Sequence, residues 1–118
     1  MAEFPHRGEL WLVAFGASRA GEPGKTRPAI VASTDALPAG EPTDLVVVIP
    51  VSSSRAPSKL RIELGTEAGV ERPSRAIPQA IRSVSASRLI RRIGSVDTSA
   101  MSEIMFALSV ILELDAEP

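Results

Sequence analysis

Residues 8–16 read Gly8-Glu9-Leu10-Trp11-Leu12-Val13-Ala14-Phe15-Gly16, an apolar run closed at both ends by glycine. The run is too short for a helix with a buried stripe, and Trp, Val and Phe favour extended backbone, so it reads as a strand. Residues 16–27 hold three glycines and Pro23, the composition of a long loop. Residues 28–33 (Pro-Ala-Ile-Val-Ala-Ser) and 45–51 are the next two strands, and 60–64 is a short alternating one followed by a turn-like stretch to 74. Residues 76–84 and 90–96 are expected as two further strands with a tight connection. Met101, Ile104, Met105, Leu108, Ile111 and Leu112 then recur at helical spacing, and Asp97, Thr98 or Ser99 can cap that helix. Short strands with one late helix predict a mainly β protein, a small, strongly bent sheet or barrel with a C-terminal α-helix.

Composition narrows the function. With 118 residues the chain is expected to form one domain, burying about two-thirds of its unfolded surface. Its 44% hydrophobic and 23% charged residues are those of a globular protein and exclude overall disorder. Cys and Tyr are absent and His6 is the one histidine. Disulfides, thiolate metal sites, cysteine nucleophiles and two-imidazole mechanisms are thereby excluded, and a histidine-based metal site is not expected. Phe4, Trp11, Phe15 and Phe106 are the only aromatics, too few for a base-stacking platform. Trp11, within a strand, reads as core. The N-terminus lacks a cationic start followed by an apolar segment, and the longest apolar runs fall well short of the roughly 20 residues that span a bilayer. A cytoplasmic location with no membrane partner is the expectation.

The net charge of -1 conceals an uneven distribution. Residues 72–92 carry Arg72, Arg75, Arg82, Arg88, Arg91 and Arg92 and no acid, whereas Asp97 onward carries only acids. Arginine is a planar donor fork suited to phosphate. The run is either a solvated face or an anion-binding one, and only its position in space can decide.

Gly24-Lys25-Thr26 imitates the end of a phosphate-binding P-loop, but Arg19 stands where that motif needs glycine, and a strand rather than a helix follows. The loop itself carries Arg19, Glu22, Lys25 and Arg27 among small residues, a polar segment able to close over an anion. Pro28 biases Arg27 toward extended backbone, so that side chain leaves from a rigid point at a strand start. A second polar cluster, Ser52-Ser53-Ser54-Arg55, follows the strand 45–51. If the two strands pair, Arg27 and Ser52 lie at related edges of one sheet; otherwise the serines form an ordinary turn.

Arg7-Gly8-Glu9-Leu10-Trp11 resembles the opening Arg-Gly-Asp-hydrophobic-aromatic motif of the MazF/PemK toxin family. Gly24-Lys25-Thr26-Arg27-Pro28 and the strand after it look like that family's loop and second strand. Val47-Val48-Ile49-Pro50-Val51-Ser52 resembles its strand ending in Pro-hydrophobic-Thr/Ser, and Ser87-Arg88-Leu89 its later Ser-Arg-Leu. The helix from about Thr98 falls where the family has its long C-terminal helix. Five elements in register cover nearly the whole chain.

The resemblance implies an SH3-like small barrel over a single domain, 1–118, usually a homodimer, that acts as the toxin of a type II toxin–antitoxin system. It implies a metal-independent, sequence-specific endoribonuclease cutting single-stranded RNA, with a cognate antitoxin as partner. The family's catalytic Arg and Thr correspond to Arg27 and Ser52, the hydroxyl being kept. Arg19, Glu22, Lys25, Thr26, Ser53, Gln79 and Arg82 are the expected RNA-binding residues. Gln79-Ala80-Ile81-Arg82 departs from the family's Asp-Gln-hydrophobic-Arg: the arginine stays and the acid is lost. Two alternatives stand beside this reading, a CcdB-like toxin that binds DNA gyrase without catalysis and an inactive antitoxin-binding module.

Overall fold

Among the described residues, seven strands and one α-helix follow in the order β1 (Glu9–Ala14), β2 (Thr26–Val31), β3 (Leu45–Ser52), β4 (Ile62–Leu64), β5 (Ser74–Ala76), β6 (Arg82–Ser85), β7 (Leu89–Ser95) and α1 (Thr98–Leu112). These come from a computed structural model that describes residues 4–16, 25–54 and 60–114. All strand pairs are antiparallel, in the order β4-β5-β3-β2-β1-β7 with β6 also on β3. The sheet curls into a half-barrel, as the mainly β expectation with a C-terminal helix required.

The curl comes from β3. Its first half pairs with β6 from Leu45 to Val48, and its end pairs with β5 at Val51 and Ser52. Pro50 falls in the gap between the two pairings, where its carbonyl accepts the Ile77 N–H at 2.9 Å. A strand residue directs its N and O to the same side, so the N–H that proline lacks belongs to that gap.

The expected single strand over 76–84 is two strands instead. A 3₁₀ turn, Pro78–Ala80, separates β5 from β6. Pro78 occupies its first turn, where a fixed φ and a missing donor suit the turn and not a ladder. A second such turn, Ala86–Arg88, makes the tight connection into β7.

Two apolar layers use opposite faces of the same strands. On one face Leu10, Ile30, Ile49 and Val51 pack with Ile62, Leu64 and the α1 residues Ile104 and Leu108. On the other, Trp11, Val13, Phe15, Ala29, Val31, Val46, Val48, Val84 and Leu89 form the second layer. Strands buried on both faces need continuous apolar sequence rather than alternation, which is what residues 10–15 and 45–51 supply. Trp11 is buried, as expected of a core residue, and its indole N–H reaches Glu9 Oε1 at 3.0 Å. Asp97 caps α1 by accepting the Ala100 N–H at 2.8 Å.

One backbone contact divides the surface beside β7. Gly69 ends the 3₁₀ turn Thr66–Ala68 in a left-handed conformation, φ 114°. A side chain there would collide with the Ile93 carbonyl, and one on Gly94 with the Ala68 carbonyl. Only two glycines let these backbones approach so closely.

Candidate nucleic-acid interface

The expected loop is clasped at its base. Phe15 N–H donates to the Lys25 carbonyl at 2.7 Å, and Lys25 N–H donates to the Gly16 carbonyl. Lys25 adopts φ 62°, a left-handed turn at the start of β2. From there β2 runs back along β1, with Arg27 opposite Val13 and Pro28 opposite Leu12.

The adjacency of Arg27 and Ser52 follows from register. Ala29 faces Pro50 across the β2–β3 ladder, and the same offset carried two residues further sets Arg27 opposite Ser52. Both residues line one open cleft of about 720 Å³, together with Lys25, Thr26 and Ser53. Five of the nine expected site residues thus share one site. Arg19 and Glu22 lie outside the described residues. Gln79, on the 3₁₀ turn, and Arg82, on β6, are exposed and not among the residues lining this cleft. The Arg82 guanidinium carbon lies 5.3 Å from the centre of the Phe15 ring.

Ser52 is 5% exposed and its hydroxyl is fixed. Its Oγ accepts the Ser54 N–H at 3.2 Å and lies 3.1 Å from Ser54 Oγ. When Ser54 donates to it, the Ser52 proton is left to donate elsewhere. Ser54 therefore orients the Ser52 hydroxyl, and the signal for that contact is the serine cluster itself.

The cleft is strongly cationic. Among the described residues, Lys25, Arg27, Arg72 and Arg91 line it against one carboxylate, Glu71. Arg72 and Arg91 belong to the arginine run seen in the sequence, yet nothing in their local pattern singled them out.

Proteins sharing this architecture form a defined class. The curled half-barrel is shared with a crystal structure of MazF from Deinococcus radiodurans, TM-score 0.81 at 24% identity, over 95% of this chain and 99% of that one. It is shared also with an endoribonuclease in complex with its cognate antitoxin from a mycobacterial species, TM-score 0.75 at 19% identity, over 97% and 99%. Residues 6–112 match the family described as PemK-like, MazF-like toxin of type II toxin-antitoxin system. Endoribonuclease MazF9 of Mycobacterium tuberculosis (strain ATCC 25618 / H37Rv) is 32% identical over 114 residues, 92% of this chain and 96% of that protein. The chain belongs to the PemK/MazF toxin family.

Proposed function

We propose that this chain is a toxin that cleaves single-stranded RNA at specific sequences without a metal, Arg27 and Ser52 being its catalytic residues. The observation that carries the reading is that Arg27 and Ser52, on the paired strands β2 and β3, line one cationic cleft. In the reaction the 2′-oxygen attacks the adjacent phosphorus and gives up its proton. The bond to the 5′-oxygen breaks, and that oxygen takes a proton, leaving a 2′,3′-cyclic phosphate and a 5′-hydroxyl. Negative charge builds on the non-bridging oxygens, where a guanidinium stabilises it by charge-assisted hydrogen bonds and a held hydroxyl adds another donor. Arginine is a poor general base, so the role of Arg27 is mainly electrostatic, with proton donation also open to it.

The chain acts as one domain over residues 1–118, in the cytoplasm, as a homodimer neutralised by a cognate antitoxin. The mycobacterial relative solved with its antitoxin supports the last point, and exposed Phe106 and Val110 on α1 offer apolar surface for assembly. The loop residues Arg19 and Glu22, and Lys25, Thr26, Ser53, Gln79 and Arg82, are proposed to contact the RNA around the cut.

The test is cleavage of mixed RNA in EDTA, with sequencing of the new 5′ ends. The parental protein is expected to cut at defined sites. Arg27→Ala is expected to lose about 10²–10³ in rate with its circular dichroism unchanged. Parental-rate cutting by that variant, or intact RNA with the parental protein, would sink the reading; trapping of gyrase would replace it with the binding toxin.

A further inference from the structure

The arginines and lysines of the described residues fall into two groups. Arg7 donates to the Ala32 carbonyl, Arg75 pairs with Glu63 at 2.8 Å and Arg92 with Glu9 at 3.3 Å. Arg88 donates to the Ala14 carbonyl at 3.0 Å, and Arg82 lies over Phe15. Arg27 and Arg61 also have partners. That leaves Lys25, Arg72 and Arg91, whose side chains make no hydrogen bond or ion pair among the described residues. All three line the same cleft as Arg27 and Ser52. Like charges gathered in a cleft with no partner among the described residues repel one another and cost stability, so their concentration there points to a polyanion.

Their placement gives that polyanion a path. Arg91 on β7 faces Leu12, and Leu12 faces Pro28 beside Arg27. Arg91 thus sits two strands away from β2, about 10 Å across the floor at ordinary strand spacing. Arg72 comes from a different segment, between Gly69 and β5. No aromatic side chain is among the described residues lining the cleft, so stacking cannot hold a strand there and backbone charge must. Glu71, the one carboxylate on the same wall, repels phosphate and accepts hydrogen bonds. It marks where ribose hydroxyls or base amino groups, not phosphates, face the protein.

We propose that Arg72 and Arg91 form a backbone-phosphate subsite for single-stranded RNA, holding phosphates that flank the one cut at Arg27 and Ser52. The proposal rests on the ribonuclease reading. It assigns these two arginines to affinity and to placing the strand, not to the chemical step. Arg92, next in sequence but on the opposite face and paired with Glu9, is the internal comparison.

The experiment measures kcat and KM of the full chain on a short RNA containing one mapped cut site, and binding of the same RNA with a 2′-deoxy substitution at that site across a salt series. Arg72→Ala and Arg91→Ala are each expected to raise KM about tenfold while kcat falls less than about threefold. The salt slope of log affinity is expected to shallow by about 0.7 for each cation removed. Arg91→Lys is expected to recover the slope, since it restores the charge, and Arg92→Ala to leave KM and slope as they were. Unchanged KM and slope in both alanine variants would overturn the subsite. So would a loss confined to binding of polyglutamate, which would make the cations a seat for an acidic protein segment. If the parental protein fails to cut, the ribonuclease reading fails; if it cuts and the variants match it, only the subsite fails.

Discussion

Two clefts flank the turn that ends at Gly69, and they carry opposite charge. The larger, about 720 Å³, is lined by Lys25, Arg27, Arg72 and Arg91 with, among the described residues, only Glu71 opposing them. The smaller, about 410 Å³, is lined by Glu63, Glu67, Asp97 and Glu103 with no cation among its lining residues. Between them lies the contact of Gly69 with Ile93 and Gly94, where backbone meets backbone with no side chain interposed. A net charge of -1 therefore conceals two separated fields, and the total says nothing about what either cleft attracts. Proximity alone does not assign function either, since the acidic cleft adjoins the proposed RNA site yet would repel the same strand.

The largest way to break this division is at the glycine contact. Gly94→Ala places a methyl group onto the Ala68 carbonyl, and the backbones must part. Stability is expected to fall by about 3 kcal/mol or more, read as a Tm lower by roughly 10 °C or more. A variant melting within a degree or two of the parent would show that the contact is not the rigid divider described. A smaller effect is expected at the acidic side. Asp97→Ala removes the side chain that accepts the Ala100 N–H, costing about 1 kcal/mol by denaturant unfolding. KM for RNA should stay at the parental value, because the cap lies outside the basic cleft. The smallest effect sharpens the comparison most. Glu103→Gln is expected to change KM for RNA by less than about twofold at physiological salt, where exposed charges beyond about 8 Å are largely screened. A larger gain in affinity would mean that the two fields overlap.

Much of this architecture was legible because β1, β2 and β3 are buried on both faces and so announce themselves as apolar runs. The helix was legible from its period and from Asp97. The break in 76–84 was also signalled, by Pro78, but apolar residues on either side of it read as one strand because two different stretches of β3 receive them. Arg27 and Ser52 could be nominated from Pro28 and from family likeness; β2 does pair with β3, and both residues line one cleft. Arg72 and Arg91 could not be nominated. β7 carries irregularities between the positions facing Leu10 and Trp11 and between those facing Leu12 and Val13, so counting alternate residues from either end fails to place Arg91 on the cleft face. Whether an arginine is held by a neighbour depends on contacts distant in sequence, such as Arg88 with Ala14 and Arg92 with Glu9. A residue count treats all six arginines of 72–92 alike.

The clasp between Gly16 and Lys25 has a consequence for how such a protein can diversify. Two backbone hydrogen bonds, Phe15 to Lys25 and Lys25 to Gly16, close the β1–β2 connection at its root and use no side chain from 17–24. The entropic cost of lengthening a closed connection grows only slowly, about 0.6 kcal/mol for each doubling. The connection between β1 and β2 can therefore be lengthened at little entropic cost while the β2–β3 ladder stays in register. Under the proposed reading, a new recognised sequence can then be acquired with the proposed chemistry unchanged.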